Sequence, residues 1–411
     1  MAINVEKLAN TVEAILTVAF LVLSLTISFA LGEHSSAGKY ILLAVLLLMI
    51  IVHILSNGFV LDIKFTKLYT YMIIFILVCL LGSLFATNSI VALNRTLDIT
   101  EMLIMIVVFY ICLRNKEIDY LFKILMWTGY IVVFYAIIYY GLDYFLLVLK
   151  SSGRVVNTAL NANTLGLCGA YSIVITAYFI LYNGFKIWNL IAIPTMAVIA
   201  ASGSRKALVV MVVGVVMIFI LKNYEDKNVI NAFLKSIVTL IALVLTGIAI
   251  LQLPMFATTL ERMQTLLFAL KGSSGADSSA LVRLQMVEIG KELFEKSPIV
   301  GVGINNPQLY TASYFGICNY YLHNNYIEIL AGAGIVGFIA YYWIYVELLI
   351  GFVKNRNFRD GAYNITVLMM AIRLIMDIGA VTYETKLTYF YLLIFYIEYE
   401  RTACQNKSSK G

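Results

Sequence analysis

Apolar runs alternate with short polar connections along nearly the whole chain of 411 residues. Most runs are about 18 to 22 residues long, the length that a helix needs to cross ~30 Å of hydrocarbon. The fifth run is longer, and we expect it to tilt or to bend at Gly141. The pattern predicts an all-α, polytopic membrane helix bundle with about twelve transmembrane helices. The twelve runs cover residues 11–31, 38–56, 67–86, 99–113, 120–149, 160–182, 186–201, 205–221, 232–253, 325–352, 361–380 and 386–400.

One long polar interruption stands among these runs and begins at residue 254. We divide the chain into residues 1–253 with transmembrane helices 1–9, residues 254–324 as an extracytoplasmic loop, and residues 325–411 with helices 10–12 and a short cytoplasmic tail. All three parts are expected to form one integral membrane domain.

The loop shows the spacing of two amphipathic helices, which we expect to act as a lid on the bilayer or over a cavity between spans. Thr258 and Thr259 can cap the first helix, and Ser278 or Ser279 can cap the second. The apolar positions are Leu260, Met263, Leu267 and Leu270 in the first helix and Val282, Met286, Ile289 and Leu293 in the second.

Glycine and proline separate and end these two helices. The tract from Gly272 to Gly275 breaks the chain between them, and Pro298 ends the second. Gly301-Val302-Gly303 then predicts a turn that allows close backbone approach. Within the second helix, the spacing predicts the ion pairs Lys291–Glu295 and Glu292–Lys296.

Composition and charge exclude a soluble protein and give an orientation. Charged residues make up 13% of the chain, against ~25% in a globular domain, and hydrophobic residues make up 62%. With both termini in the cytoplasm, the inner segments hold 16 Lys and Arg residues and the short outer segments hold 7. Because cytoplasmic loops are enriched in these residues, both termini are predicted inside and the 254–324 loop outside. The net charge of +6 therefore indicates anchoring at the inner face and not nucleic-acid binding.

Other common signals point to neither a removed leader nor a cofactor. The run 11–31 is longer than a typical signal-peptide core, so we interpret it as the first span. The five cysteines give no disulfide framework, and no His, Cys or Asp spacing is typical of a metal site. No phosphate-binding or dinucleotide-binding glycine motif is found. His53, inside the second run, is interpreted as a packing residue.

Polar residues that are difficult to explain as anchors gather at the predicted outer side. Arg154 and the run from Asn161 to Gly166 lie at the start of the sixth apolar run. The segment from Ser202 to Lys206 opens the eighth. The loop adds Arg283 and His323, and the eleventh run adds Arg373 and Asp377, spaced four residues apart.

Each of these residues also has an ordinary interpretation. Arg283 fits a lipid head-group anchor, and His323 fits a helix-end residue that bonds to a neighbouring loop. Arg373 and Asp377 fit a structural salt bridge between helices. The tyrosines before His323 fit an interfacial belt or a surface that stacks on sugar rings; they are Tyr310, Tyr314, Tyr320 and Tyr321.

Four short elements, in this order, resemble those of the O-antigen ligase and Wzy polymerase family. Asn161-Ala162-Asn163 resembles its Asn-Pro-Asn element, with alanine in place of proline, and Ala201-Ser202-Gly203-Ser204-Arg205-Lys206-Ala207-Leu208 its small-Gly-Ser-Arg-x-Ala-Leu element. Pro298-Ile299-Val300-Gly301-Val302-Gly303 resembles its Pro-x-x-Gly-x-Gly element, and His323-Asn324-Asn325-Tyr326 its His-Asn-x-Tyr element, with Gly334-Ile335-Val336-Gly337 downstream. The resemblance covers residues 150 to 345, and the first five runs carry no matching motif.

The resemblance implies a GT-C-like glycosyltransferase at the outer face of the bacterial cytoplasmic membrane. Its donor would be a glycan on undecaprenyl pyrophosphate, and its further partners would be membrane lipid and a chain-length regulator protein. Arg205 and Arg283 would hold the pyrophosphate, and His323 would be the base, since imidazoles ordinarily titrate near a pKa of ~6.5. We predict a metal-independent, inverting transfer without a cofactor. The predicted substrate-binding residues are Arg154, Asn161, Asn163, Lys206, Asn324, Asn325, Tyr326 and Arg373.

Three functions remain open from the sequence. The favoured one is a polymerase of repeat units for capsular polysaccharide or O-antigen. The second is a ligase that transfers the glycan to a lipid A core. The third is a transporter of polyisoprenoid-linked glycans, although the chain lacks paired, interrupted spans in two matching halves and its charges gather at one face.

Overall fold

A computed structural model describes residues 2–31, 36–151, 153–155, 161–225, 229–252, 261, 278–315 and 320–408. Every regular element in these residues is a helix, which confirms the all-α fold class. The first predicted loop helix, with its Thr258 and Thr259 cap, and the tract from Gly272 to Gly275 lie outside the described residues.

Each of the twelve apolar runs corresponds to helix. The fifth run is divided at Gly141, whose φ of +82° ends one helix and starts the next, so the predicted bend is confirmed. The helices are α1 (Ala2–Leu31), α2 (Ser36–Ser56), α3 (Lys67–Ser83), α4 (Ser89–Leu113), α5 (Ile118–Tyr140), α6 (Leu142–Lys150), α7 (Ala162–Asn183), α8 (Ala192–Ser202, after a 3-10 turn over Ile187–Ile191), α9 (Arg205–Asn223), α10 (Val229–Leu251), α11 (Ser278–Lys296), α12 (Pro307–Phe315), α13 (Asn325–Lys354), α14 (Gly361–Met376) and α15 (Lys386–Ser408).

Seven helices in the described part are long and apolar enough to cross a membrane, so the predicted count of twelve is not confirmed. The seven are Lys7–Ile27, Ala37–Ser56, Ser89–Leu113, Ile118–Tyr140, Ala162–Asn183, Arg205–Asn223 and Asn325–Lys354. Four shorter apolar helices cover Lys67–Ser83, Ile187–Ser202, Ile230–Ala242 and Gly361–Met376. Helix α15 begins in the last apolar run but continues through the charged residues Glu398, Glu400 and Arg401, which lowers its apolar character.

The chain divides into two compact units, each made of separate segments. The first comprises Met1–Leu61, Cys112–Thr265 and Asn357–Ile372, and in it α7 packs against α5, α8 and α9. The second comprises Asp62–Ile111, Leu266–Arg356 and Arg373–Gly411, and in it α13 packs against α3, α11 and α15. The predicted division at residues 253 and 324 follows membrane topology and stays a prediction.

Helix α11 is the predicted second loop helix, and its apolar stripe is buried. Met286, Ile289 and Leu293 form a core with Val302, Leu322 and Ala331, and Val282 packs against it. The stripe therefore contacts the protein itself. Lys291 pairs with Glu288 at 2.7 Å, one turn before it, whereas the spacing predicted Glu295. The role of this helix in a lid stays a prediction.

Helix α13 is broken at Gly334, and the Pro-x-x-Gly-x-Gly element fills the break. Gly334 has φ +65° and ψ −169°, which interrupts the helical hydrogen bonds. The N–H groups of Val302 and Gly303 donate to the carbonyls of Ala331 and Gly332, both at 2.9 Å. On the other side of the break, the N–H of Ile335 donates to the Pro298 carbonyl at 2.9 Å.

Glycine is required at both partners of this contact. A Cβ at Gly301 would lie 2.4 Å from the carbonyl carbon of Gly332, and one at Gly334 would lie 2.2 Å from the carbonyl oxygen of Ile299. The predicted close backbone approach at residues 301–303 is thus confirmed. Because an unpaired backbone group is costly in an apolar setting, the paired segment allows α13 to break there.

Candidate active site

Arg154 links the ends of two helices in the first unit. Its Nε donates to the carbonyl of Ser202, the last residue of α8, at 3.0 Å, and its Nη2 donates to Asn163 Oδ1, in the first turn of α7, at 3.3 Å. A cation at a helix C-terminus is favourable because the helix dipole is negative there. Beside it, Val155 N–H donates to the Ala201 carbonyl at 3.0 Å, which holds the backbone after Arg154 against α8.

The Asn-Ala-Asn element is the start of α7. The side chain of Asn161 is the N-cap and accepts the N–H of Asn163 at 2.9 Å. Ala162 occupies the first helical position, which favours proline because its N–H has no helical acceptor. Alanine and proline therefore both fit this position, and the departure from the family pattern does not change the local fold.

The Ser-Gly-Ser-Arg element is the turn between α8 and α9. Gly203 has φ +57°, the left-handed conformation that commonly ends a helix, and Ser204 is the N-cap of α9. Gly166, one turn into α7, lies against this turn, since a Cβ there would be 2.5 Å from Ser202 Oγ and 2.9 Å from Ala207 Cβ. The small residues of the element thus let the N-termini of α7 and α9 lie side by side.

Positive charge collects where these helices begin. Arg205 is buried at the first position of α9, and Lys206 is half-buried beside it. Two adjoining helix N-termini and the side chains of Arg154, Arg205 and Lys206 together make a region that favours an anion. The chemistry of these groups fits a pyrophosphate.

His323 lies in the second unit, in the turn before α13. Its φ is +55°, a left-handed conformation that is uncommon for residues other than glycine. Asn324 is the N-cap of α13 and accepts the N–H of Ile327 at 3.1 Å. The N–H of Leu322 donates to Glu328 Oε2 at 2.7 Å. Hydrogen bonds to the start of α13 therefore hold the chain on both sides of His323.

Charged and aromatic groups surround this turn. The rings of Tyr321 and His323 lie 4.3 Å apart between centroids. Burial raises the pKa of the Tyr321 phenol, and the carboxylates of Glu384 and Glu328 raise it further, while Arg283 lowers it. Tyr321 is thus a neutral hydroxyl within electrostatic reach of Arg283. The second unit in this way brings Arg283 and His323, two of the three predicted catalytic residues, to one neighbourhood.

Asn325 joins α13 to the segment after α14 and is buried. Its amide nitrogen donates to Tyr342 Oη at 2.7 Å, and its amide oxygen accepts the N–H groups of Thr382 at 2.8 Å and Tyr383 at 3.0 Å. Tyr342 also donates to Asp377 Oδ2 at 2.9 Å. The hydrogen-bonding groups of Asn325 are therefore occupied by the protein.

Tyr326 and Arg373 are likewise held by their own chain. Tyr326 Oη donates to the Leu374 carbonyl at 2.8 Å, and its ring stacks on Tyr342 with centroids 4.8 Å apart. Arg373 Nη2 donates to Thr388 Oγ1 at 2.8 Å and lies 3.8 Å from Asp377 Oδ1, so the two residues pair, at the end of α14 and not between helices. The substrate-binding roles proposed for Asn324, Asn325, Tyr326 and Arg373 stay predictions.

Three charged residues in this part of the second unit have no role in the sequence-based prediction. Glu328 is 1% exposed, and Arg95 and Glu384 lie within electrostatic reach of it. Arg95 pairs with Glu384 at 3.1 Å and donates to Asn305 Oδ1 at 3.2 Å. A carboxylate four residues into an apolar run is a functional signal in a membrane protein, and it could have identified Glu328. From the sequence, Arg95 contributes only to the charge of an outer segment.

A separate polar group lies in the first unit. Ligand atoms of Glu13, His53 and Cys112 lie within 4.8 Å of one another, close enough to hold a metal ion. Glu13 Oε1 is 2.8 Å from His53 Nδ1, and Glu13 Oε2 is 3.0 Å from Lys116 Nζ. The carboxylate of Glu13 thus forms an ion-pair network that joins α1, α2 and the connection after α4. No spacing in the sequence predicted it, and His53 takes part in more than packing.

Comparison with known proteins adds one family and one relative. The model of a family described as O-antigen ligase matches residues 189–342. The predicted family resemblance is confirmed for these residues, which hold three of the four elements, while Asn161-Ala162-Asn163 lies before them. The O-antigen ligase match includes Arg205, Lys206, Arg283 and His323, and it supports ligase- or polymerase-type function in general. Together with the seven long apolar helices, it indicates an integral membrane protein.

An uncharacterized protein from Haemophilus influenzae is 27% identical over 247 residues, which are 55% of this chain and 59% of that protein. The chain therefore spans about three fifths of the length of this relative. The prediction that the two clusters, around Arg205 and around His323, share one cavity stays a prediction.

Proposed function

We propose that this protein is a polymerase that joins oligosaccharide repeat units carried on undecaprenyl pyrophosphate into capsular polysaccharide or O-antigen. The observation that carries the proposal is that the O-antigen ligase match contains Arg205, Arg283 and His323, residues that the outer-face charge pattern had already selected. The reaction takes place at the outer face of the bacterial cytoplasmic membrane, with both termini in the cytoplasm. A chain-length regulator protein is a proposed partner.

The donor is an activated glycosyl carrier lipid. As the bond between the anomeric carbon and the phosphate oxygen breaks, negative charge grows on the pyrophosphate leaving group. The cluster of Arg154, Arg205 and Lys206 at the starts of α7 and α9 supports binding of that charge, since charge-assisted contacts strengthen as the charge develops. Because the pyrophosphate is already a good leaving group, the transfer proceeds without a metal or a general acid.

The acceptor is a sugar hydroxyl, which is hardly ionised at neutral pH. His323 takes its proton as the oxygen attacks the anomeric carbon, and a single in-line displacement inverts that centre. A base in reach of the hydroxyl typically accelerates such a step by about 10²- to 10⁴-fold. The left-handed turn that presents His323 beside Tyr321 supports this assignment, because strained backbone is concentrated at functional sites.

A ligase is the second candidate, and the description of the matching family favours it. A ligase would use the same donor and the same cationic cluster, with a lipid A core as acceptor. No residue named above distinguishes a ligase from a polymerase. The two functions differ in the glycan that accumulates when the protein is lost.

A gel of surface glycans from a deletion strain of the source bacterium tests the proposal. Loss of a polymerase leaves single-repeat glycans on the surface, and the unsubstituted gene restores the polymer ladder. Long polymer stranded on the carrier lipid would identify a ligase. Absence of both from the outer surface would identify a transporter and refute both candidates. Membranes washed with a chelator should retain the polymerising activity.

A further inference from the structure

The backbone at His323 is held in a conformation that it would not adopt alone. A side chain with a Cβ is disfavoured at positive φ, and such residues persist where their surroundings fix them. Two attachments fix this turn. Asn324 caps α13 on one side of the imidazole, and the N–H of Leu322 donates to Glu328 on the other.

Glu328 is well suited to hold the turn because it is itself buried and bonded. Its side chain is 1% exposed and lies in the first turn of α13. The backbone N–H of Glu328 donates to the Asn324 carbonyl at 2.9 Å. Removing an acceptor from a buried donor leaves that donor unsatisfied, which is the costly case for a hydrogen bond. Without the Glu328 carboxylate, the Leu322 N–H would lose its partner, and the turn would relax.

The side chain of Leu322 connects the turn to the helix that carries Arg283. Leu322 is fully buried in the core with Met286 and Ile289 of α11. Helix α11 approaches so closely that a Cβ at Gly290 would lie 2.7 Å from Leu322 Cδ1 and 2.2 Å from Ile327 Cγ2. A shift at Leu322 would therefore alter the placement of Arg283 relative to the imidazole.

We propose that Glu328 is a positioning residue for the transfer reaction. Its buried carboxylate accepts the Leu322 N–H and thereby fixes the turn that presents His323 and Tyr321 close to α11. The proposal rests on the proposed function of His323 as the base. Glu328 contributes an acceptor oxygen to this arrangement, and it acts through Leu322 without touching the substrate.

Three variants test separately the loss of the hydrogen-bond acceptor, the loss of the charge and general effects on α13. Glu328→Ala removes the acceptor, and Glu328→Gln keeps an acceptor without the charge. Glu347→Ala is the matched control, because Glu347 lies near the other end of the same helix and binds Lys67 at 2.7 Å. Should Glu328→Ala fail to accumulate in the membrane, Glu328→Asp takes its place, since it withdraws the carboxylate from Leu322 by one methylene.

Two measurements are made on each full-length variant. Hydrogen–deuterium exchange in detergent reports on the peptide that contains Leu322, and the deletion strain reports on the polymer ladder. We expect faster exchange at residues 320–324 and a polymer yield lowered roughly 10- to 100-fold for Glu328→Ala, as for a displaced catalytic group. Glu328→Gln should restore slow exchange and bring the yield within about threefold of the unsubstituted protein, because a neutral acceptor retains the hydrogen bond. Glu347→Ala should leave both readouts unchanged.

Several outcomes would overturn the proposal. Unchanged exchange in Glu328→Ala would show that the carboxylate does not hold the turn. Faster exchange with a normal ladder would show that the turn does not position the base, provided that His323→Asn abolishes the ladder. If Glu328→Gln loses polymer as fully as Glu328→Ala with normal exchange, the charge is required and the positioning role is refuted. A normal ladder in His323→Asn would refute the proposed function instead, and the exchange measurement would still decide the role of Glu328 in the turn.

Discussion

At the scale of single residues, the backbone of His323 decides which substitution gives a clean test. Asparagine tolerates the left-handed conformation better than alanine, and neither offers a titrating group. We expect His323→Asn to accumulate normally and to lower the polymer yield by about 10²- to 10⁴-fold. His323→Ala should lose the same activity and be less stable than His323→Asn, because asparagine tolerates the left-handed conformation better than alanine. Polymer ladders on gels measure the activity of each variant, and thermal unfolding in detergent measures its stability. A normal ladder in His323→Asn would show that His323 is not the base.

The two predicted pyrophosphate-binding arginines, Arg205 and Arg283, give the second prediction at this scale. Replacing Arg205 or Arg283 with lysine should remove most of the polymer, because an ammonium cannot make the planar, bidentate contact with a pyrophosphate. Arg359→Lys is the control, since Arg359 is an exposed arginine in the connection after α13. The test compares polymer ladders at equal amounts of protein in the membrane fraction. Full activity in both lysine variants would argue against pyrophosphate binding by these residues.

At the scale of elements, the break in α13 depends on glycines that lie directly against the backbone of the opposite segment. Gly334→Ala would put an alanine at a φ of +65° and would also place its Cβ 2.2 Å from the Ile299 carbonyl oxygen. Gly58 has the same φ of +65° and nothing within 4 Å of an added Cβ, so Gly58→Ala measures the conformational cost alone. We expect Gly58→Ala to cost about 1 to 2 kcal/mol and Gly334→Ala to cost clearly more. Equal melting temperatures of Gly58→Ala and Gly334→Ala in detergent would show that the packing of residues 298–303 on α13 is loose.

Sequence signals within a few residues predict the helices well. They do not predict which residues pair when the two lie far apart in the sequence. The division at Gly141 and the buried apolar stripe of α11 follow from side-chain chemistry within a few residues of each position. Arg95 pairs with Glu384, far away in the sequence, and no local signal indicates this pair. Periodicity identifies the face that a helix buries, but it cannot identify the element that covers this face. The count of twelve membrane spans stays unconfirmed for a related reason, because an apolar run does not reveal how much of it becomes one straight helix.

The same limit applies to the polar residues of the His-Asn-x-Tyr element. The sequence presented Asn325 and Tyr326 as neighbours of a base and therefore as ligands for a sugar. In the folded chain Asn325 joins α13 to Thr382 and Tyr383, and Tyr326 bonds to the carbonyl of Leu374. A short element can be required because it fastens the turn that carries the base, and sequence alone does not separate that need from substrate binding.

At the scale of the whole molecule, the proposed chemistry requires α11 and the His323 turn to lie outside the cytoplasm. The orientation rests on the Lys and Arg asymmetry of 16 against 7, and labelling tests it directly. In a background with all five cysteines replaced by serine, Lys291→Cys on α11 should react with a membrane-impermeant maleimide in intact spheroplasts. Lys354→Cys, at the end of α13, should react only after lysis, and both lysines are exposed and outside the proposed site. The reverse labelling pattern would place His323 at the cytosolic face. Because the proposed reaction takes place at the outer face, the proposed function would then be wrong.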